Sequence, residues 1–300
     1  MPVGSGLEII IRGARGTMAS PGPDTVGVGG HTSCVEVWRP DGSLLVLDAG
    51  TGLRTVTRDL ARGDATPGRG RPRHLDLVLT HRHLDHVMGL PFLVTCTALG
   101  GTVTLYCGNG GVAEIDQLLD TFLGPPLFPA PPETRTAITP KPFGLNGRLH
   151  AGGTTVEAVP AHHPGGAAIL LISDASGPQL AYAPDNELAE FDQSPERSRW
   201  RQALAARLRG VSVLLHDAHW QTDEAARHAG WGHSSAIEAT HFALACGAGR
   251  LLLAHHHPDR SDAAVSQMLD ECRAVVQQDG ASLVVDVARE GLTLRLPESP

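Results

Sequence analysis

The chain has 300 residues, of which 41% are hydrophobic and 19% charged, enough to bury a substantial core as one α/β domain. Its 24 Lys and Arg against 32 Asp and Glu give a formal charge of −8; no basic field is present to collect long nucleic acid or an anionic membrane surface, although a local pocket can still hold one phosphate. The five cysteines are scattered without a Cys-x-x-Cys pair, which points to buried free thiols and away from a disulfide framework or a thiolate zinc knuckle.

Met1 to Arg15 carries only the short apolar run Leu7 to Ile11 and no cleavage-site pattern. No stretch approaches the roughly 18 apolar residues of a membrane span, so a cytoplasmic protein is expected. Strands are predicted at Leu7 to Arg12, Ser33 to Trp38 and Ser43 to Leu47, the last two joined by the turn segment Arg39-Pro40-Asp41-Gly42 as a hairpin. A buried strand, Leu75 to Leu79, runs straight into a histidine cluster, and residues 89–94 open a helix with proline in or near its first turn. Strand Thr102 to Tyr106 and helix Val112 to Phe122 follow, and the proline-rich Gly124 to Pro132 is read as a rigid surface loop or lid.

Further strands are expected at Thr154 to Val159, Ala168 to Ser173 and Gln179 to Ala183. The last third alternates: helix Glu196 to Leu208, strand Val211 to Leu215, helix Ser234 to Cys246, strand Arg250 to Ala254, helix Ala263 to Gln278, and strands Ser282 to Val287 and Leu292 to Leu296. Each half begins with strands and continues with helices, which implies two sheets packed face to face with helices outside. The expected fold is a four-layer αββα sandwich, a single domain over residues 1–300.

The chemistry concentrates in Thr80-His81-Arg82-His83-Leu84-Asp85-His86. In an extended loop, side chains two apart share a face, so His81 and His83 point the same way, while Asp85 and His86 supply a carboxylate and a third imidazole to a neighbouring position. Polar residues scattered on a solvated loop would not explain why a buried apolar strand delivers four potential ligands together.

This segment resembles the T-H-x-H-x-D-H signature of the metallo-β-lactamase superfamily, and the resemblance extends over nearly the whole chain. It implies an early Asp at a strand end, found as Asp48 in Leu-Asp-Ala-Gly-Thr-Gly; a mid-chain His, found in His162-His163-Pro164-Gly165-Gly166; a bridging Asp, found as Asp185; and a late His after Leu251-Leu252-Leu253-Ala254. On this resemblance His81, His83 and His163 bind one divalent metal ion, Asp85, His86 and His255 bind a second, and Asp185 bridges them.

Four of these positions carry alternatives. His163 is preferred over His162 because His-Pro-Gly-Gly is the form of the phosphodiesterase-like branch, and His255 over His256 and His257 because it comes directly off the strand end. Asp185 also reads as a turn residue after Pro184. Asp48 is expected behind a ligating His, fixing its tautomer, or capping nearby backbone amides.

Four segments carry a finer resemblance: Gly13-Ala14-Arg15-Gly16-Thr17, Gly29-Gly30-His31-Thr32-Ser33-Cys34, Leu215-His216-Asp217-Ala218 and Gly230-Trp231-Gly232-His233-Ser234-Ser235. They are similar to the ribonuclease Z and cyclic-phosphate phosphodiesterase branch, in which the Gly-His-Ser histidine, here His233, assists proton transfer; a neighbour of a helix N-cap is the plainer reading. The Gly/Pro-rich arm flanked by basic residues that grips transfer RNA in ribonuclease Z is not evident here, which favours a small, possibly cyclic, phosphodiester. His83 argues for hydrolysis over the redox chemistry of flavo-diiron relatives.

The resemblance thus implies a hydrolase using hydroxide activated by two metal ions, zinc by preference with manganese or iron fitting the same donors. His233, Asp85 and Asp48 are the residues expected to take part in catalysis, and a homodimer is implied by the branch. Arg15 is weighed as a phosphate contact, if its loop folds over the site, against a structural turn. The alternatives are a carboxylic-ester, lactone or thioester hydrolase, and a non-catalytic metal-binding regulatory protein.

Overall fold

The computed structural model describes residues 6–63 and 72–296. The first half runs β1 (Leu7–Gly13), β2 (Cys34–Trp38), β3 (Leu44–Leu47), α1 (Leu53–Arg62), β4 (His74–Leu79), α2 (Leu84–Val87), α3 (Leu93–Ala98), β5 (Thr102–Cys107), α4 (Val112–Leu123), α5 (Pro132–Thr136) and β6 (Ile138–Lys141). The second runs β7 (Arg148–Ala151), β8 (Thr154–Ala161), β9 (Ala167–Asp174), β10 (Gly177–Ala183), α6 (Pro195–Arg207), β11 (Val213–Asp217), α7 (Thr222–Ala225), α8 (Ala236–Cys246), β12 (Arg250–Ala254), α9 (Asp262–Gln278), β13 (Val284–Val287) and β14 (Thr293–Leu296).

These strands form two sheets of seven, in the orders β14-β1-β2-β3-β4-β5-β6 and β13-β12-β11-β10-β9-β8-β7. Each sheet is antiparallel at one end and parallel at the other: β3, β4, β5 and β6 run together, as do β10, β11, β12 and β13. The period-2 alternation of β3 shows how the layers are built. Leu45 and Leu47 join a core shared with β8 to β13, whereas Leu44 and Val46 face a second core with Leu53 and Val56 of α1. Helix, sheet, sheet and helix stack as the sequence predicts, with the apolar interior of β3 buried on both faces.

Several elements depart from expectation. Helix α1 was not predicted, although its buried Leu53, Val56, Thr57 and Leu60 fall at helical spacing; β-branched Val and Thr in that segment mask the signal in a propensity reading. Short β6 and β7, at the sheet edges, were likewise missed. At residues 89–94 the proline lies in a short 3-10 turn, Leu90–Phe92, and α3 begins after it. Gly124 to Pro131 is a loop, as expected, and Pro132 starts α5.

No described helix is long and apolar enough to cross a membrane. Cys34, Cys107, Cys246 and Cys272 are buried free thiols, and Cys96 is partly buried.

Candidate metal centre

Parallel strands leave their carboxyl ends at one rim of a sheet, where the following loops can converge. Here β3 ends before Asp48, β4 before Thr80 and His81, β10 before Asp185, β11 at Asp217 and β12 before His255. The two sheets thereby bring residues more than a hundred positions apart in sequence into one cluster.

Ligand atoms of His81, His83 and His163 lie within 4.8 Å of one another, and so do those of Asp85, His86 and His255. His163 Nε2 is 3.0 Å from His83 Nδ1, and His255 Nε2 is 3.0 Å from Asp85 Oδ2. Asp185 sits between the groups, with Oδ2 2.9 Å from His86 Nε2 and 3.4 Å from His255 Nε2, and Oδ1 3.7 Å from His163 Nε2. All seven residues expected as ligands are therefore brought together.

The structure also separates the adjacent histidines. His163 donates Nδ1–H to the Gly232 carbonyl at 3.0 Å, which turns Nε2 inward. That approach requires glycine: a Cβ on Gly232 would lie 2.2 Å from His163 Nδ1, and its φ is +87°. His162 instead points outward, packing on Trp200 and lying 3.7 Å from Glu187. His255 takes a left-handed φ of 55° immediately after β12, an unusual conformation for a non-glycine residue that swings its ring into the cluster. His256 is buried elsewhere with both ring nitrogens unpartnered among the described residues, and His257 packs against His219 and Trp220.

Around the cluster runs a set of orienting hydrogen bonds. Fully buried Asp48, itself at φ 59°, accepts the Thr80 amide at 2.7 Å, His86 Nδ1 at 2.7 Å and the Tyr182 hydroxyl at 3.0 Å. The Thr80 hydroxyl bonds Asp48 at 3.0 Å and lies 3.1 Å from His81 Nδ1; with Nδ1–H donating to that oxygen, Nε2 of His81 is left as the inward lone pair. Asp48 thus makes both of the contacts weighed as alternatives, holding a histidine and capping an amide.

Next to this lies His233, whose Nδ1 is 2.8 Å from Asp217 Oδ2 and 3.8 Å from Asp185 Oδ1. Asp217 also accepts the amides of Asn186 and His219. Sequence reasoning singled out the Leu-His-Asp-Ala segment without assigning Asp217 a role, and it passed over Tyr182 and His219. An acid ending a buried apolar strand was the available signal for Asp217.

Arg15 takes the structural of its two readings, with the difference that its side chain is buried where a structural turn would leave it solvated. Its loop does fold onto the cluster: a Cβ on Gly16 would lie 2.3 Å from His255 Nδ1, and the Thr17 amide donates to Asp85 Oδ2 at 2.8 Å. The Arg15 side chain turns the other way, fully buried, and bonds the Gly29 and Arg260 carbonyls at 2.8 and 2.6 Å and Asp262 at 3.3 Å. Those acceptors tie three segments together and leave no guanidinium for a ligand.

The electrostatics are those of buried charges in close opposition. Burial, reinforced by the His86 and other imidazoles, holds His81 well below the usual histidine range. Burial alone would raise Asp185, but His255, His86 and His81 outweigh it and hold the carboxyl well below its usual range. Burial pushes Asp217 well above the carboxylate range, against the opposing pull of His255.

Among the described residues, His81 Nε2 is buried without a hydrogen-bond partner, and His86 Nε2 and Asp185 Oδ2, although 2.9 Å apart, are buried without a well-aligned hydrogen bond. Unsatisfied buried donors and acceptors are costly, and here imidazole and carboxylate atoms face a common centre. Three-histidine and mixed histidine–carboxylate groups are the donor chemistry of divalent transition metals, so the residues fit such ions.

The architecture and its rim of converging strand ends are those of the metallo-β-lactamase fold. Residues 44–256 match the β-lactamase superfamily domain, and the chain belongs to that family. Ribonuclease BN of Cronobacter sakazakii is 27% identical over 271 residues, covering 77% of this chain and 84% of that protein. Solved structures share the fold, among them the following two over nearly the whole chain. The metallo-β-lactamase fold protein YhfI from Bacillus subtilis aligns with a TM-score of 0.71 at 19% identity over 97% of this chain and 100% of its own. Zn(2+)-bound PqqB from Methylobacterium extorquens aligns with a TM-score of 0.68 at 18% identity over 96% and 100%.

Proposed function

We propose that this protein is a two-metal hydrolase of small phosphodiesters, working as a single domain. The carrying observation is the meeting of two ligand groups about Asp185, with the His233–Asp217 pair at their edge. In this reading His81, His83 and His163 hold one ion, Asp85, His86 and His255 the other, and Asp185 both. Bound divalent ions supply Lewis acidity, which lowers the pKa of water and draws charge from a phosphoryl oxygen. Zinc suits the donors best, as in the Zn(2+)-bound PqqB structure, and manganese or iron fits the same set.

The chain's own residues supply orientation and a proton. Asp48 holds His86, and the Thr80 hydroxyl holds His81, so that both rings present Nε2 inward. With one proton in the 2.8 Å bond between His233 Nδ1 and Asp217 Oδ2 and another on Nε2, the pair can pass the latter to a departing oxygen. Asp217 supports the doubly protonated ring before the transfer and holds the neutral Nδ1–H tautomer after it.

Two observations favour a phosphodiester of limited size. The relative from Cronobacter sakazakii is named as a ribonuclease, and cleavage of RNA is phosphodiester chemistry; the net charge of −8 disfavours a long polyanion. The branch resemblance also carries a cytoplasmic homodimer.

The test is hydrolysis of bis(p-nitrophenyl) phosphate by metal-analysed protein, beside a p-nitrophenyl carboxylic ester and a thioester. Diester turnover abolished by a chelator and restored by metal supports the reading. Turnover of only the carbonyl substrates overturns the substrate class, and a metal-replete protein inert to all three overturns the enzyme itself.

A further inference from the structure

Arg82 stands between two of the ligand residues, His81 and His83, yet nothing in the chemistry above uses it. Its side chain lies beside the cluster, in the wall of a groove that His83 also lines. Nε of Arg82 is buried with no hydrogen-bond partner among the described residues. The guanidinium passes over Gly110, where a Cβ would lie 3.5 Å from Nε and 3.6 Å from Cζ. A guanidinium with five donors rarely leaves its nitrogens idle, because a buried unpaired donor costs about 1–3 kcal/mol.

Arg82 lines a groove of about 410 Å³ together with His83, Asn109, Glu114, Gln117 and Gly165. The groove opens on the metal-ligand cluster itself, since His83 forms part of its wall while its Nδ1 lies 3.0 Å from His163 Nε2. Outward it continues along α4, past Gln117 and Thr121, to a second hollow bounded by Pro125, Pro126 and Leu127. The one carboxylate lining the inner groove, Glu114, feels the charge of Arg82 but is turned to the head of α4, where Oε2 accepts the Gly111 amide at 3.0 Å. Asn109 is likewise committed, donating to the Gly166 carbonyl at 2.6 Å, so the donors left to a ligand in the groove are the terminal Nη groups of Arg82, whose Nε is buried against Gly110, and the exposed amide of Gln117.

We propose that this groove is a subsite for a second phosphate on the substrate, gripped by Arg82 while the scissile group occupies the metal cluster; the inference rests on the phosphodiesterase reading. A terminal phosphate meets the planar fork of donors with two of its oxygens, as a carboxylate would, and its larger negative charge draws the guanidinium more strongly. Selection of a doubly phosphorylated small molecule also accounts for a cation kept at the mouth of an otherwise acidic protein.

The experiment measures binding, independently of turnover. Calorimetric Kd values are determined for adenosine 3′,5′-bisphosphate and adenosine 5′-monophosphate on metal-loaded wild type, Arg82→Ala and Gln117→Glu. Wild type is expected to prefer the bisphosphate by roughly 10- to 100-fold, the size of a charge-assisted hydrogen-bond pair. The preference should fall to within about threefold in Arg82→Ala, and Gln117→Glu, which sets a carboxylate on an exposed face of α4, should reduce it by about tenfold.

No preference in wild type, or a preference that survives both substitutions, overturns the subsite. Should Arg82→Ala not fold, Gln117→Glu decides alone. Hydrolysis of bis(p-nitrophenyl) phosphate, scored separately, reports on the phosphodiesterase reading: a preference that tracks these residues in a protein without that activity keeps the subsite and removes the reading.

Discussion

Asp48 Oδ2 accepts the Nδ1–H of His86 at 2.7 Å, with both side chains fully shielded from solvent. The bond joins the end of β3 to the first helical turn after β4, and it fixes which nitrogen of His86 faces the cluster. A buried carboxylate with three donors on it, Thr80, His86 and Tyr182, is a rigid support.

Removing that support should loosen metal without removing a ligand. Asp48→Ala is expected to weaken metal affinity by about 10- to 100-fold, read by competition with a chromophoric chelator. Unchanged affinity in a folded variant would show that Asp48 serves the backbone amide of Thr80 alone.

Asp185 faces both ligand groups, and its loss should be more severe. Asp185→Ala is expected to release metal and lower kcat by roughly a thousandfold or more, as loss of several kcal/mol of charge stabilisation implies. Elemental analysis and bis(p-nitrophenyl) phosphate turnover check this together. Full metal content with normal rate would sink the bridging assignment.

The His233–Asp217 pair should matter most when the departing group needs a proton. Both His233→Ala and Asp217→Asn are expected to lower kcat on an alkyl phosphodiester by about 10²- to 10⁴-fold, and to do less to a p-nitrophenyl ester, whose leaving oxygen is stable without a proton. Equal losses on the two substrates would instead mark a structural role.

Burial sets a separate pH dependence through His216, which lies in the core with its pKa lowered to about 4. Its Nδ1–H donates to the Asp217 carbonyl at 2.8 Å, and its Nε2 accepts from Asn186 Nδ2 at 3.1 Å, so both nitrogens are satisfied in the neutral ring. Because the unfolded chain takes up this proton first, the contribution is complete above about pH 6.5 and is lost as pH falls toward 4. Its size is on the order of 3 kcal/mol. Denaturant titrations of wild type and His216→Gln across pH 4 to 7 should therefore converge at the acid end; parallel curves would refute the linkage.

Metal removal offers a test of the cluster as a whole. A ligand at a thousand times its Kd adds about 4 kcal/mol to stability, so chelation should lower the unfolding midpoint markedly and zinc should restore it. An unmoved midpoint would mean that the facing imidazoles and carboxylates hold no ion in solution.

The sequence by itself determined the centre's local part. His81, His83, Asp85 and His86 fall within six residues after a buried apolar strand, and backbone geometry alone makes such neighbours share a site. The alternating strands and helices likewise determined the four layers, because each apolar face has to be covered. Tertiary structure decided the rest. Between His162 and His163, or among His255, His256 and His257, composition is identical, and the choice depends on a φ of 55° at His255 and on the close approach of Gly232. Arg15 shares its loop with Thr17, yet one side chain runs to Asp262 while the other residue's amide meets Asp85. Parallel pairing of β10, β11 and β12 sets His216 against Ala183 and Asp217 against Ala254 at one rim, and there Asp217 meets His233 from the loop before α8. Direction and register are properties of packed strands, set by contacts between residues far apart in the chain, and a linear pattern does not contain them.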